Sequence, residues 1–210
     1  MTSDTIITQF ELQVSDVTEL STSEEYVVLN RVYNKICNFR PWEFLKTSAS
    51  GAILSDADGF YITAPADFAY FANNHNNTED YISTDTPKVI FIGSTYDPYI
   101  IVNWSDRRQY RNKAGYAYYD ITNGQIRFTG ATLAGYTYEF DYIKTPTALA
   151  TTLSPIFPPR FHDILVYGMA TDDAIIQMSP KATSYKDENQ TKYQGIMDDM
   201  SYWNSQLQMN

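Results

Sequence analysis

The sequence predicts an α+β fold: a four-helix bundle formed by N- and C-terminal helix pairs, with an antiparallel β domain inserted between them. Three observations lead there. Apolar residues recur at spacings of three and four over the first 38 or so residues and again after "LSPIFPPRF"; between the two stretches the period shortens to two; and the short runs in that middle region are bounded by Gly, Pro, Asn and Asp. The expected organisation is a helical hairpin over 1–47, a β-rich insertion over 48–147 and a second helix pair over 148–210.

Ile6, Phe10, Val14 and Val17 define a first helix with one buried face. "STSEE" then offers Ser21 with Glu24, or Thr22 with Glu25, as a capping box, in which a hydroxyl and a carboxylate satisfy the open amides of a helix start. Tyr26, Leu29, Tyr33 and Ile36 carry a second helix to about Asn38, and the Arg-Pro-Trp corner at 40–42 ends it.

"GFYITAP", "KVIFI", "YIIVNW", "GYAYYDI", "QIRFTG" and "YTYEFDYIK" are β-branched and aromatic runs of strand length. Asn123-Gly124 between two of them signals a hairpin whose two central positions take positive φ. In the last run Tyr136, Tyr138, Phe140 and Tyr142 share one face, and Thr137, Glu139 and Asp141 the other, the pattern of a half-buried strand.

Pro158 and Pro159 suit a helix start, where a missing amide is harmless. Phe161, Ile164, Leu165, Gly168 and Ile175 then form one stripe, and Gly168, Ala170 and Ala174 allow a close helix neighbour. After a break at Ser179-Pro180, Tyr193, Ile196, Met200, Trp203 and Leu207 mark a final helix.

Composition narrows the function. The chain of 210 residues has 43% hydrophobic residues, enough for a core, and no apolar run of the length a membrane span needs. Its first ten residues lack the pattern of a secretory signal. The single cysteine, Cys37, has no internal partner, which fits a reducing cytoplasm, and the Asn-x-Thr triplets at Asn76 and Asn189 read as chance. A formal charge of −10 argues against tight phosphate binding. The charge lies in blocks: six acids and no base over 1–30, four bases and one acid over 31–46, six acids and no base over 47–87, five bases and two acids over 88–113. Such blocks suit solvated faces or complementary patches between copies of one chain.

Catalytic ingredients are scarce, and no catalytic, metal or cofactor site is expected. His75 stands in a polar stretch, His162 in the first turn of a helix where it reads as structural, and Cys37 on an apolar helix face. "SDADGF" departs from a calcium loop at the third ligand and the glycine position. Neighbouring carboxylates such as Asp172-Asp173 and Asp198-Asp199 point about 100° apart on a helix. An enzyme, including a small hydrolase, has nothing to stand on.

Asp172 falls in the apolar stripe of its helix, and a buried carboxylate needs a partner. Arg31 or Arg40 is the expected one, in a clamp between the helix pairs in which Trp42 and Phe44 pack; the bland alternative leaves Asp172 exposed. "NWSDRRQYRNK" mixes bases with aromatics; a protein interface or solvated loop is favoured over nucleic acid, because acidic stretches nearby supply a counter-surface.

"LSTSEEYVVLNRVYNKICNFRPWEFLK", "FYITAPADFAYF", "NGQIRF", "YTYEFDYIKTPTAL" and "SPIFPPRFHDILVYGMATDDAII", in that order across nearly the whole chain, together resemble the head-to-tail adaptor (connector) proteins of tailed bacteriophages, especially the tail tubular proteins of short-tailed phages. The resemblance implies a structural protein of the virion, assembled in the bacterial host cytoplasm, that forms a twelve-copy ring under the portal and lets DNA pass without specific binding. It implies a portal contact around Tyr202, Trp203, Leu207 and Met209, and a tail contact around Trp104, Arg107, Arg108 and Tyr110. The chain departs from the family pattern in having few bases in its final helix. The alternative is an aromatic-rich glycan-binding module of a phage tail or fibre, suggested by eighteen tyrosines and three tryptophans.

Overall fold

The computed structural model describes residues 1–14, 20–72, 88–95, 97–130, 132–172, 175–176 and 180–208. The chain divides into two compact units: Met1–Leu45 with Pro146–Asn210, and Lys46–Thr145.

The first unit is helical, and the two ends of the chain pack together in it. Helix α1 spans Ser3–Val14 and α2 Thr22–Cys37. The Ser21 amide donates to Glu24 at 2.7 Å, the reciprocal half of a capping box, and α2 starts there. Val17, the last member of the first apolar stripe, lies outside the described residues. After a 3-10 turn at Pro159–Phe161, α4 runs Asp163–Ala170 and packs on α1 and α2. Pro180–Ser184 forms α5, and Lys186–Gln208 forms α6, which also packs on α4. The core joins Ile6, Phe10, Leu29, Ile36, Trp42, Phe157, Ile164, Leu165, Met169 and Met200, all 1% exposed or less. Polar staples hold the returning chain: Asn30 donates to the Leu149 carbonyl at 3.0 Å and accepts from its amide at 2.7 Å, and the Ser3 hydroxyl donates to the Leu153 carbonyl at 2.7 Å.

The helix expected through Ile175 stops at Ala170. The Thr171 amide reaches back to both Tyr167 and Gly168, its hydroxyl donates to the Gly168 carbonyl at 3.0 Å, and Asp172 closes a tighter turn onto Met169. A side chain that satisfies the last carbonyls this way competes with continuation of the helix. Asp173, Ala174 and Ser179 lie outside the described residues. On α6 the buried face carries Asn189, Met197, Met200 and Asn204, whereas Leu207 is 44% exposed.

The second unit is one nine-stranded sheet: β1 Lys46–Ala52, β2 Leu54–Asp56, β3 Gly59–Thr63, β4 Phe68–Phe71, β5 Val89–Ile92, β6 Asp97–Val102, β7 Tyr116–Asp120, β8 Gln125–Thr129 and β9 Thr137–Lys144. Eight strands follow the order β1-β9-β5-β6-β7-β8-β3-β2 in a nearly closed, barrel-like path, and β4 adds to the C-terminal half of β9. Inside lie Ile62, Ile90, Ile92, Ala117, Ile126, Phe128, Phe140 and Tyr142.

Two expectations are corrected here, and one strand joins those expected. The sheet is not wholly antiparallel, because β6 and β7 pair parallel, Ile100 opposite Tyr116 and Val102 opposite Tyr118. Parallel neighbours need a crossover of a dozen or more residues, and residues 103–115 supply it with a 3-10 turn at Trp104–Asp106 and a short helix α3 at Arg107–Tyr110. The β7–β8 hairpin is not closed by a two-residue turn: four residues separate the pair Asp120–Gln125, the Asp120 carboxylate accepts from the Thr122 amide at 3.1 Å and from the Asn123 side chain at 2.8 Å, and Gly124 takes a positive φ of 61°. Finally, "KTSASGA" is a full strand. Small and polar in itself, it is held by seven consecutive pairings with β9, from Lys46–Ile143 to Ala52–Thr137.

Candidate functional site

In the helical unit, Arg31 on α2 reaches Asp172 in the turn after α4. Its Nε donates to one carboxylate oxygen at 3.0 Å and its Nη2 to the other. The Asp172 side chain is 15% exposed and that of Arg31 52%, so the pair closes a partly solvated seam between α2 and the end of α4. Below it Gly168 gives way to its neighbours: a Cβ there would stand 2.5 Å from Val32 Cγ1 and 3.1 Å from the Tyr193 ring.

Arg40 lies instead over the Trp42 ring, 5.5 Å from its centroid. Trp42 is fully buried, donates its indole N–H to the Ile36 carbonyl at 2.8 Å, and stacks on Phe44 at 5.4 Å. Phe44 stacks in turn on Trp203 at 6.4 Å, Trp203 meets Phe161 at 5.6 Å, and Arg160 covers both rings. Trp203 thus belongs to an aromatic column that joins the Arg-Pro-Trp corner to α6. The Asn204 side-chain Oδ1 accepts from the Glu43 backbone amide at 2.8 Å, and the Gln208 side chain donates to the Glu43 carboxylate at 3.1 Å. Beside this packed face Tyr202 is 69% exposed and Leu207 points outward as well. Met209 lies outside the described residues.

His162 is buried, with its Nδ1 accepting from the amino group of Met1 at 2.8 Å and its Nε2–H donating to the Phe157 carbonyl at 2.9 Å. These partners assign the neutral tautomer. Burial holds its pKa below the usual histidine value. Cys37 is buried too, its thiol pushed up to about 12 by desolvation, far from a reactive thiolate. Asn189 is 1% exposed and accepts from Gln13 at 2.9 Å; His75 and Asn76 lie outside the described residues.

The β unit gathers its bases on the β6–β7 crossover. Trp104 packs edge-on against Tyr118 at 5.4 Å, Tyr110 tilts onto Tyr116 at 4.4 Å, and the Arg107 guanidinium lies 3.6 Å above the Trp104 ring while donating to the Trp104 carbonyl at 2.6 Å. Arg108 is exposed. The crossover is anchored from β8: the Thr129 hydroxyl donates to the Lys113 carbonyl at 2.6 Å, and Gly130, at φ +59°, lets the backbone of residues 112–113 come so close that a Cβ would stand 2.7 Å away.

Sequence reasoning passed over Arg127, which the structure makes the polar centre of this face. It donates through two nitrogens to Asp56 at 2.7 and 3.1 Å and to Gln125 at 2.7 Å, with Asp120 at 3.8 Å from its Nε. Arg127 holds the Asp56 carboxyl below the usual carboxylate range, and its own pKa is raised in return. The signal was present: an arginine between Ile126 and Phe128 in an apolar run demands a buried acid. The same bond commits the first carboxylate of "SDADGF" to arginine.

The aromatic rings of the sheet spend their faces largely on one another, as in the contacts of Phe68 with Phe71, Tyr119 and Tyr142, and of Phe140 with Tyr138. Among the described residues no group of histidine, cysteine or carboxylate side chains is placed to hold a metal ion, and no helix is long and apolar enough to cross a membrane. Compared with known families, residues 1–209 match the family model described as SU10 adaptor protein. No curated protein matches the chain.

Proposed function

The chain belongs to the SU10 adaptor protein family, phage adaptors rather than enzymes, and from that premise we propose that it is a virion component that joins capsid to tail. Copies of the chain form a ring, twelve in number, under the portal, and DNA passes through the ring without specific binding. In each copy the terminal helices act as a four-helix scaffold, and the β unit presents its crossover to the next tail component.

The observation that carries this reading is a family match over essentially the entire chain, on both units together. The surfaces support it. A ring of identical subunits needs two different, complementary faces on each, and the alternation of acidic and basic blocks along the sequence provides unlike faces. The exposed Tyr202 and Leu207 on the last turns of α6 are available for the portal, while Trp203 positions that end by packing inward. Trp104, Arg107, Arg108 and Tyr110 stand together on the crossover for the tail. A net negative chain also suits a conduit to which phosphates do not adhere.

The test is electron microscopy of the purified full chain mixed with its portal, with particle mass measured alongside. A ring added to one end of the portal is expected. A chain that adds to neither portal nor tail, while remaining folded, would overturn the reading. Serine at the exposed Tyr202 and Leu207 (Tyr202→Ser with Leu207→Ser), which leaves the Trp203 column in place, is expected to weaken portal docking.

A further inference from the structure

The crossover overhangs a groove of about 650 Å³ in the β unit, within the size range of ligand clefts. Four arginines, 107, 108, 111 and 127, line it against two aspartates, Asp58 and Asp120. Their roles differ. Arg127 is bound to Asp56 and Asp120, and Arg107 is fixed on Trp104. Arg108 and Arg111, one turn apart on α3 and its C-cap, are exposed, and neither makes a side-chain hydrogen bond or ion pair with any described residue. The floor is mixed: Phe60, Tyr118 and Phe128 supply apolar surface, and Asn112 and Thr132 supply groups able to bond a peptide backbone.

We propose that this groove receives an acidic polypeptide segment of a neighbouring virion protein, two of whose carboxylates pair with Arg108 and Arg111. Guanidinium forks match carboxylates in two-point geometry. The surplus of positive charge suffices for one or two singly charged groups and falls far short of what a phosphodiester backbone calls for, particularly on a chain of net charge −10. Aromatic floor and amide rim fit a peptide chain better than an isolated inorganic anion. The inference deepens the adaptor reading, since it rests on the β unit facing a partner, and it names the chemistry of that partner.

The experiment is an NMR titration of the full chain with hexaglutamate at about 0.1 M salt, where the reach of the overall negative charge is cut to about 10 Å. Inorganic phosphate and a short DNA duplex are titrated in parallel. Saturable shifts of the Trp104 indole and the amides of 107–112 are expected with hexaglutamate, weakened about tenfold in the R108Q/R111Q chain, as loss of charge-assisted hydrogen bonds implies. Both substitutions are at exposed positions, and an unchanged spectrum elsewhere verifies the fold. The proposal is overturned by absence of saturable shifts, by equal binding in the variant, or by tighter binding of phosphate or duplex through the same arginines. The two readings separate cleanly: a chain that docks on its portal without binding hexaglutamate loses only the groove assignment, and one that binds the peptide but joins neither portal nor tail loses only the adaptor role.

Discussion

Arg31 and Asp172 lie 141 residues apart in sequence and meet in a two-point fork, one nitrogen on each carboxylate oxygen. The contact ties the N-terminal helix pair to the segment that returns after the β unit. Because half of the Arg31 side chain is in solvent, the pair is worth little more than a surface bridge. A double-mutant cycle with Arg31→Met and Asp172→Asn should give a coupling of about 0.5–1 kcal/mol by denaturant unfolding. It should shrink as salt rises; a coupling indifferent to salt would show that packing, not charge, joins the two.

Gly168 and Gly195 make opposite forecasts for the same substitution. At Gly168 an alanine methyl would overlap Val32 and press on Tyr193, so Gly168→Ala should destabilise by about 1–3 kcal/mol as α2 and α6 are pushed from α4. At Gly195, on α6, a methyl meets nothing within 4 Å, and Gly195→Ala should stabilise by about 0.5–1 kcal/mol through helix propensity. Thermal melting of both variants checks the pair, and equal signs would refute the close approach at Gly168.

Gly130 and Gly124 both take positive φ, 59° and 61°, but only Gly130 faces a neighbouring backbone. Gly124→Ala should therefore cost only the conformational penalty, about 1–2 kcal/mol. Gly130→Ala should cost more and displace the crossover, visible as a shifted Trp104 indole resonance. If the indole stays in place, Gly130 does not hold the crossover.

His162 predicts a pH dependence. Its folded pKa lies below the ordinary value of about 6.5, because burial disfavours the imidazolium. The unfolded chain then takes up the proton first on acidification, so stability is full above about pH 7 and declines as pH falls through 6.5 toward the folded pKa. The carboxyls with lowered pKa, Glu24 and Asp56, titrate at lower pH and leave this window to histidine. Denaturant midpoints between about pH 5 and 7.5 should slope in the native chain, and the slope should flatten in His162→Gln; an unchanged slope in that variant would assign it elsewhere.

Much of this architecture is legible in the sequence because periodicity reports burial. Tyr26, Leu29, Tyr33 and Ile36 located α2, and Ser21 with Glu24 located its start. What escaped was decided by partners distant in sequence. The strand "KTSASGA" has no β signature, and β9 organises it. The parallel direction of β6 and β7 is set by the crossover, whose helical turn is too short to show a period. The aromatic column of Trp42, Phe44, Trp203 and Phe161 needs residues from both ends of the chain, as does the choice of Arg31 over Arg40 beside Asp172. Charge blocks marked the basic crossover, while the groove beneath it depends on how Asp56 reaches Arg127 across 71 positions.

Strand β1 begins the β unit, β9 ends it, and the two lie side by side with Lys46 opposite Ile143. The chain therefore departs and comes back within one interstrand spacing, about 5 Å. A hundred residues so bracketed should behave as a removable cassette: a short Gly-Ser bridge is expected to close the gap left by excising them, and a different sheet with the same paired ends is expected to fit the same doorway.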